Sequence, residues 1–328
     1  MAITTNGPKK KRVKLKLEQP KKQYAVDQCA LYGIRGLGAL VSILNWRGSP
    51  ADLERFADRP NSYRVWREDG REIQAPIADL RTIHARIATL LRRVQPPDFR
   101  HSGVRKRSFL TNARQHLVDE PSIKIDVRKF YPSTSFDHVR RCFTHDLRCA
   151  GDVAIVLTKL CCYRKDQGHV GHLPTGGVHS EVLGFYCHKK VFDALLARTK
   201  ARGGTMSVYV DDIMATMPNA SLTDLEWVRR LFSRAGIEMH RGKSKVVPKR
   251  ALKLITGVVI QNGNTHATAA QHRKTKELTV ALTITNNSGT KAEIARSLLG
   301  HLDHIAQIDK RFKARAAGSR GRLASLVK

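Results

Sequence analysis

The stretch "SVYVDDIMAT", Ser207 to Thr216, sets two adjacent aspartates inside an apolar run. Short β-prone segments, "TMSVYV" and "IMATM", flank the pair, which therefore reads as a hairpin. None of the usual two-residue turn sequences is present. Adjacent carboxylates repel one another and resist burial, so folding by itself gains nothing from Asp211 and Asp212. An exposed hairpin tip is the plain explanation for one such pair. A second acidic strand end changes the balance. "PSIKIDVRKFYP" alternates over Ile123, Ile125 and Val127, which predicts a strand with Asp126 near its end. If the strands are neighbours, three carboxylates converge. Hard divalent cations relieve such a cluster. Two ions about 3.5–4 Å apart activate an attacking hydroxyl and stabilise the leaving oxygen of an in-line phosphoryl displacement.

The rest of the chain points to a polyanionic partner. Its 328 residues carry 59 Lys and Arg against 28 Asp and Glu, a formal net charge of +31. That self-repulsion is most simply offset by nucleic acid. No long apolar stretch or lipidation signal favours a membrane. Six cysteines without a CxxC pair do not make a disulfide scaffold, so free thiols in a reducing cytoplasm are expected. The N-terminus lacks the apolar core of a secretion signal. Residues 1–23 hold eight Lys or Arg and one acidic residue, as expected of a mobile basic arm. Pro8–Val13 within it is similar to a nuclear import signal.

Helical spacing covers Gln28 to Asp58, with Ser49-Pro50 as a helix start, and Ile77 to Val94, which Pro96-Pro97 ends. "SYRVWRED" alternates as a strand, and Asp69-Gly70 supplies its turn. Beyond Asp126, "DHVRRCFTHDL", "DVAIVLTKLCCY", Ser180 to Ala197 and "LTDLEWVRRLFSRAG" read as helices. "LKLITGVVI" reads as one further strand, followed by the turn signal Asn262-Gly263. The last 55 residues read as mostly helical, with cations spread among Leu, Ile and Ala.

"YVDD" (Tyr209–Asp212) resembles the catalytic box of reverse transcriptases. "IDVRKFYPS" (Ile125–Ser133) resembles their first aspartate motif, "LPTGGVHS" (Leu173–Ser180) the glycine loop between the two, and "AGIEMHRGKSK" (Ala235–Lys245) the lysine-bearing motif downstream. "NARQH" (Asn112–His116), "ITG" (Ile255–Gly257) and the segment Leu31–Pro76 resemble retron-type enzymes in particular. The resemblance covers roughly residues 28–312. Val178-His179-Ser180 departs from the Pro-Thr-Ser-like continuation of the glycine loop, and Val210 stands where Ala is more usual.

The resemblance implies an α+β right-hand polymerase: fingers, a palm with an antiparallel sheet and helices, and a helical thumb. On this pattern residues 1–23 are the arm, 24–120 the N-terminal helices and fingers, 121–262 the palm with part of the fingers (about 145–180), and 263–328 the basic thumb. It implies Asp126, Asp211 and Asp212 as catalytic carboxylates holding two Mg²⁺, with Mn²⁺ as a substitute, and the Val127 carbonyl as a further ligand. Lys243 would approach the pyrophosphate leaving group or screen its charge. Tyr131 occupies the sugar-gate position, with a core aromatic as the alternative. Arg71, Arg105, Lys106 and Arg107 would hold the incoming triphosphate or else be surface charges. Thr175 and Gly176 would lie beside the nascent base pair. Asn112 and His116 would handle template or serve as internal hydrogen-bond partners. Gly257, Lys310 and Arg311 would face RNA from the thumb side. The implied activity is RNA-directed DNA synthesis on a cognate non-coding RNA, giving a branched RNA–DNA (msDNA). dNTPs would be the substrates and an effector protein a partner, in anti-phage defence in the bacterial cytoplasm. A reverse transcriptase of another bacterial class and a catalytically silent RNA-binding scaffold are the alternatives. His169, His172, His179 and His188 fit no standard zinc spacing.

Overall fold

The computed structural model describes residues 23–59, 62–165 and 170–327. The basic arm, apart from Gln23, and His169 lie outside the described residues. The chain begins with helices α1 (Leu37–Leu44) and α2 (Pro50–Ala57). Ser49 caps α2 in a reciprocal box with Asp52, and Pro50 takes the first helical position, as the sequence predicts. The glycines ahead of Leu37 keep the helical pattern from starting earlier; Gly33 has a φ of +67°. Strands β1 (Tyr63–Glu68) and β2 (Arg71–Pro76) form a hairpin. Its turn residues Asp69 and Gly70 both have positive φ, the requirement of the tightest hairpin turn. Helix α3 (Ala78–Arg92) buries its apolar stripe of Leu80, Ile83, Ile87 and Leu91, and the short α4 (Phe109–Arg114) follows.

Strand β3 (Ser122–Asp126) leads into a single helical turn, α5 (Phe130–Ser133). Phe130 and Tyr131 therefore sit on a helical turn and not on the two faces of a strand. Helix α6 (Phe136–Arg141) runs into a widened π-type turn over Cys142–Asp146, and α7 (Gly151–Cys161) follows. The helix expected over 180–197 is two, α8 (Ser180–Cys187) and α9 (Lys189–Ala201), meeting at His188. The Ser207–Thr216 stretch lies in β4 (Thr205–Tyr209) and β5 (Asp212–Thr216), and α10 (Leu222–Arg234) follows. Strand β6 (Lys245–Val247) completes an antiparallel sheet in the order β4-β5-β3-β6.

"LKLITGVVI" is not one strand. It is β7 (Lys253–Ile255) and β8 (Val258–Gln261), folded back on each other at Thr256-Gly257. Both turn residues have positive φ, 45° and 78°. Continuous β propensity hides this turn, because Thr-Gly is a weaker signal than Asn-Gly. Asn262-Gly263 makes the next hairpin to β9 (Asn264–His266). Helices α11 (Ala269–Ile284), α12 (Ser288–Ile308) and α13 (Lys313–Val327) form the C-terminal helical unit. The architecture is α+β, with antiparallel sheets flanked by helices, as expected.

Strand alternation explains how the four-stranded sheet is covered. Ile123, Ile125, Ile213 and Ala215 enter the main core, together with Phe143, Phe192 and Phe232. Met214 points the other way, into a second cluster with Leu110 and Ala113 of α4 and with Ile255, Val258 and Ile260. Residues opposite one another in an antiparallel pair share a face. Lys124 faces Met214 and Asp126 faces Asp212 in register, so Lys124, Asp126, Asp212 and Met214 lie on the side that β7 and β8 cover. All six cysteines are free. Among the described residues no helix is long and apolar enough to cross a membrane.

Phe192 is fully buried, with its ring centroid 5.5 Å from that of Phe185. Phe192→Ala is expected to destabilise the protein by about 3–5 kcal/mol, measured by denaturant unfolding.

Candidate active site

Strands β4 and β5 are joined by only two residues, Val210 and Asp211, with Tyr209 facing Asp212. Val210 has a φ of 60°, whereas Asp211 is not among the positive-φ residues. Positive φ at the first central position alone is the pattern of a type II′ turn, which normally takes Gly. A β-branched residue there is strained, and the surroundings must hold it. They do: the Val210 N–H donates to Ser102 Oγ at 3.2 Å, and the Val127 N–H donates to the Asp211 carbonyl at 3.1 Å. The second bond ties the hairpin tip to the end of β3, beside Asp126.

Asp126 is held by its backbone. Its N–H donates to Ser244 Oγ at 3.1 Å, and its carbonyl accepts from the His240 N–H at 2.7 Å. The Lys243 ammonium lies 3.7 Å from Asp126 Oδ2 on a largely exposed arm. Asp212 Oδ2 accepts from the Thr256 N–H at 3.1 Å, and the Lys124 ammonium is 3.8 Å from Oδ1. That ammonium donates its hydrogen bond to the Leu254 carbonyl at 2.8 Å, leaving Asp212 Oδ1 buried without a hydrogen-bond partner.

Burial pushes the Asp211 carboxyl above the usual range, and the charges of Asp126 and Asp212 push it further, with Arg71 opposing. Burial also raises Asp212; Lys124 and the Thr256 N–H oppose, and Asp126 adds to the rise. The charge of Asp126 thus reaches both Asp211 and Asp212. The three aspartates do not close into one ligand cluster: among the described residues, no group of three or more His, Cys, Asp or Glu side chains is placed to hold a metal. Asp212 faces the Thr256 turn, which accounts for the difference. Hard carboxylate oxygens still suit Mg²⁺, which is commonly bound by one or two carboxylates together with substrate phosphates. The Val127 carbonyl stays outside the neighbouring bridge, whose bonds are Arg128 N–H to Glu238 O and His240 N–H to Asp126 O.

The other expected site residues divide. Tyr131 is half-buried near Asp211; burial raises its phenol, and the charges of Glu181 and Asp211 add to the rise. Arg71 is exposed at the start of β2 and acts on Asp211. Arg105 and Lys106 are exposed on the loop before α4. Arg107 is committed to that loop: its guanidinium donates to the carbonyls of Pro97 (2.6 Å) and Arg100 (2.7 Å) and pairs with Asp98. This is a fold-holding clamp and not a free triphosphate contact.

Gly176 approaches backbone, but the backbone is that of β2. A Cβ there would lie 2.8 Å from the Gln74 carbonyl oxygen, and the Thr175 N–H donates to Gln74 Oε1 at 2.9 Å. The glycine loop is thus docked on the β1–β2 hairpin. The departure at His179 has a packing reason. Its ring is fully buried, 3.8 Å from that of His84, with Nε2 2.9 Å from the Cys161 carbonyl.

Asn112 and His116 are buried and cannot touch RNA in this conformation. His116 bridges β4 and β5 from the end of α4, with Nε2 2.8 Å from Ser207 Oγ and Nδ1 2.8 Å from Thr216 Oγ1. Burial first, then Lys253 and His101, lower its pKa to about 3, so the ring is neutral. The internal-partner reading is the one that the geometry favours. Between α12 and α13, Lys310 is exposed, whereas Arg311 is bound through Nε and a terminal nitrogen to Asp309 (3.0 and 2.7 Å). Gly257 is open, with positive φ and no atom within 4 Å of where a Cβ would stand. The sequence reading missed Lys124, Ser244, Thr256 and Gln74. Of these, only Lys124 carried a signal: a cation alternating with Asp126 on one strand face.

The fold and the hairpin define the class first: an α+β protein with a four-stranded antiparallel sheet that carries paired carboxylates at a strained turn. No family model matches the chain. A retron Mx162 reverse transcriptase of Myxococcus xanthus is 26% identical over 266 residues, which is 72% of this chain and 54% of that protein. A retron Ec86 reverse transcriptase of Escherichia coli is 26% identical over 195 residues, 58% of each chain. A telomerase structure from Candida albicans is similar at a TM-score of 0.46 and 11% identity, covering 86% of this chain and 59% of that one. The chain spans about half the length of the curated relatives it matches. On these likenesses the chain resembles retron reverse transcriptases.

Carboxylate repulsion makes a prediction. Asp211→Asn removes a half-buried carboxylate charge that Asp126 and Asp212 oppose, so the melting temperature of the metal-free protein should rise. MgCl₂ should raise the melting temperature of the wild type and leave that of the variant unchanged. Differential scanning fluorimetry with and without the salt checks both.

Proposed function

We propose that the chain is an RNA-directed DNA polymerase. The observation that carries the reading is the register Asp126↔Asp212 with Asp211 at the adjoining two-residue turn. That geometry gathers negative charge at one end of the two central strands, in a chain carrying +31 overall. A nucleotide triphosphate on a nucleic acid strand is the substrate that joins both features.

Asp126 and Asp211, with the Val127 carbonyl, are the groups for divalent ions, and Asp212 flanks them. Bound Mg²⁺, or Mn²⁺ in its place, would lower the pKa of the attacking hydroxyl and neutralise charge developing on the phosphate oxygens. The chain's own residues do the rest. Arg71, Arg105 and Lys106 present cations to the triphosphate. The Tyr131 ring crowds the ribose 2′ position and favours deoxynucleotides. Lys243 screens the departing pyrophosphate or gives it a proton. In the reaction a primer hydroxyl oxygen bonds to the α-phosphorus, and the bond from that phosphorus to the bridging oxygen of pyrophosphate breaks.

The likeness to retron enzymes supports a finer reading. The template and primer would be one cognate non-coding RNA, the product a branched RNA–DNA (msDNA), and the context anti-phage defence with an effector protein in the bacterial cytoplasm. The proposed division is fingers over 24–120, palm over 121–262 and thumb over 263–328.

Purified protein should incorporate dNTPs on an RNA template in a Mg²⁺-dependent manner. Asp126→Ala and Asp211→Ala should each reduce incorporation by about 10³-fold or more, read by primer extension. Equal incorporation by wild type and Asp211→Ala would remove the catalytic reading and leave an RNA-binding scaffold. A discrete RNA-linked DNA, co-purified from cells with the native flanking locus and absent with Asp211→Ala, is the expected mark of the retron reaction. Gly176→Ala, which drives a Cβ into the β2 backbone, should reduce incorporation about tenfold or more by shifting the glycine loop.

A further inference from the structure

Asp212 is held differently from the two aspartates beside it. Thr256 donates its N–H to one oxygen at 3.1 Å, and the Lys124 ammonium lies 3.8 Å from the other. Both contacts lead to the β7–β8 hairpin: Thr256 is in its turn, and Lys124 is bonded to the Leu254 carbonyl at 2.8 Å. Thr256 Oγ1 in turn donates to the Phe109 carbonyl at 2.9 Å, which brings in α4. One carboxylate therefore links β5, β3, the β7–β8 turn and α4.

Two physical arguments give this link a purpose. Thr256 is β-branched and has a φ of 45°, a conformation that persists only when its neighbours hold it. The charge-assisted bond to Asp212 and the hydroxyl bond to Phe109 are the holders. In addition, a carboxylate that meets a backbone N–H and a nearby, half-buried ammonium is partly neutralised, which weakens it as a ligand for a hard cation. No ion pair or hydrogen bond from another side chain reaches the Asp211 carboxylate among the described residues, and the cation beside Asp126 sits on an exposed arm.

We propose that Asp212 and Lys124 are positioning residues that seat the Thr256–Gly257 turn against the Asp211 hairpin, while ion binding falls to Asp126 and Asp211. Gly257, the next residue of that turn, then presents an open backbone surface beside Thr256, the partner of Asp212. On the polymerase reading, on which this purpose rests, that surface holds the growing strand in line with the ions.

The full chain, free of nucleic acid, tests the assignment with two readouts that need no polymerisation. Mn²⁺ affinity is measured by electron paramagnetic resonance, and hydrogen exchange is followed by mass spectrometry on peptides spanning 254–258. Asp211→Ala should weaken Mn²⁺ binding about tenfold or more and leave that exchange unchanged. Asp212→Ala and Lys124→Met should change Mn²⁺ affinity less than about threefold and speed the exchange about tenfold, with Lys124→Arg restoring it. The inference is overturned if Asp212→Ala weakens Mn²⁺ as much as Asp211→Ala does. It is equally overturned if exchange over 254–258 is unmoved in both Asp212→Ala and Lys124→Met. A wild type that binds Mn²⁺ but incorporates no dNTP would refute the polymerase reading while these two readouts still judge the positioning role.

Discussion

A two-residue turn between β4 and β5 leaves no slack between Tyr209 and Asp212, and the remainder of the site is arranged around that constraint. The turn fixes Asp211 at the tip and Asp212 at the first pair of the ladder. It also forces Val210 into positive φ, which a β-branched residue resists. The cost is met by neighbours that come from distant parts of the chain. Ser102 holds the Val210 N–H, and Val127 holds the Asp211 carbonyl. The second of these bonds also brings Asp126 alongside. Backbone strain and carboxylate proximity are thus two consequences of one short connection.

Alternation along β3 divides the work of the sheet. Ile123 and Ile125 anchor the strand in the main core, while Ser122, Lys124 and Asp126 face the other way. That second face carries a graded set of polar groups. At one end Ser122 and Thr216 meet the buried His116; at the other lie the aspartates. A neutral histidine bridging Ser207 and Thr216 fixes the β4–β5 pair without adding charge near three carboxylates. A protonated ring in the same place would require burying a cation, which the desolvation cost opposes.

Much of this was legible in the sequence. The two aspartate strands, the Asp-Gly and Asn-Gly hairpins and the Ser49 cap follow from periodicity and turn chemistry, and the α+β class from the family resemblance. Three features did not, each for a physical reason. The Thr256-Gly257 turn is embedded in continuous β-prone residues, so propensity masked it. Arg107 and His116 carry the right chemistry for nucleic acid contact, yet their environments are set by partners far away in sequence, which local pattern cannot supply. The contact of Gly176 with the β2 backbone is likewise a tertiary fact. A glycine announces that something comes close; it does not say what.

Net charge is a poor map of where nucleic acid would lie, because many cations are already used. Arg107 is spent on three carbonyls, Arg311 on Asp309, and Arg198 and Arg202 on the buried Asp224. Arg100 is buried against Glu181 and the face of Phe185. Removing these would damage the fold before it weakened binding. The cations left for a polyanion are those with exposed arms and no carboxylate partner among the described residues, such as Arg105, Lys106 and Lys310. Lys243 is intermediate: it is exposed, yet 3.7 Å from Asp126. On the proposed polymerase reading, a triphosphate entering the site would compete with Asp126 for that ammonium, and the same arm would screen the carboxylate before substrate arrives and the phosphate afterwards, with no rearrangement of the backbone.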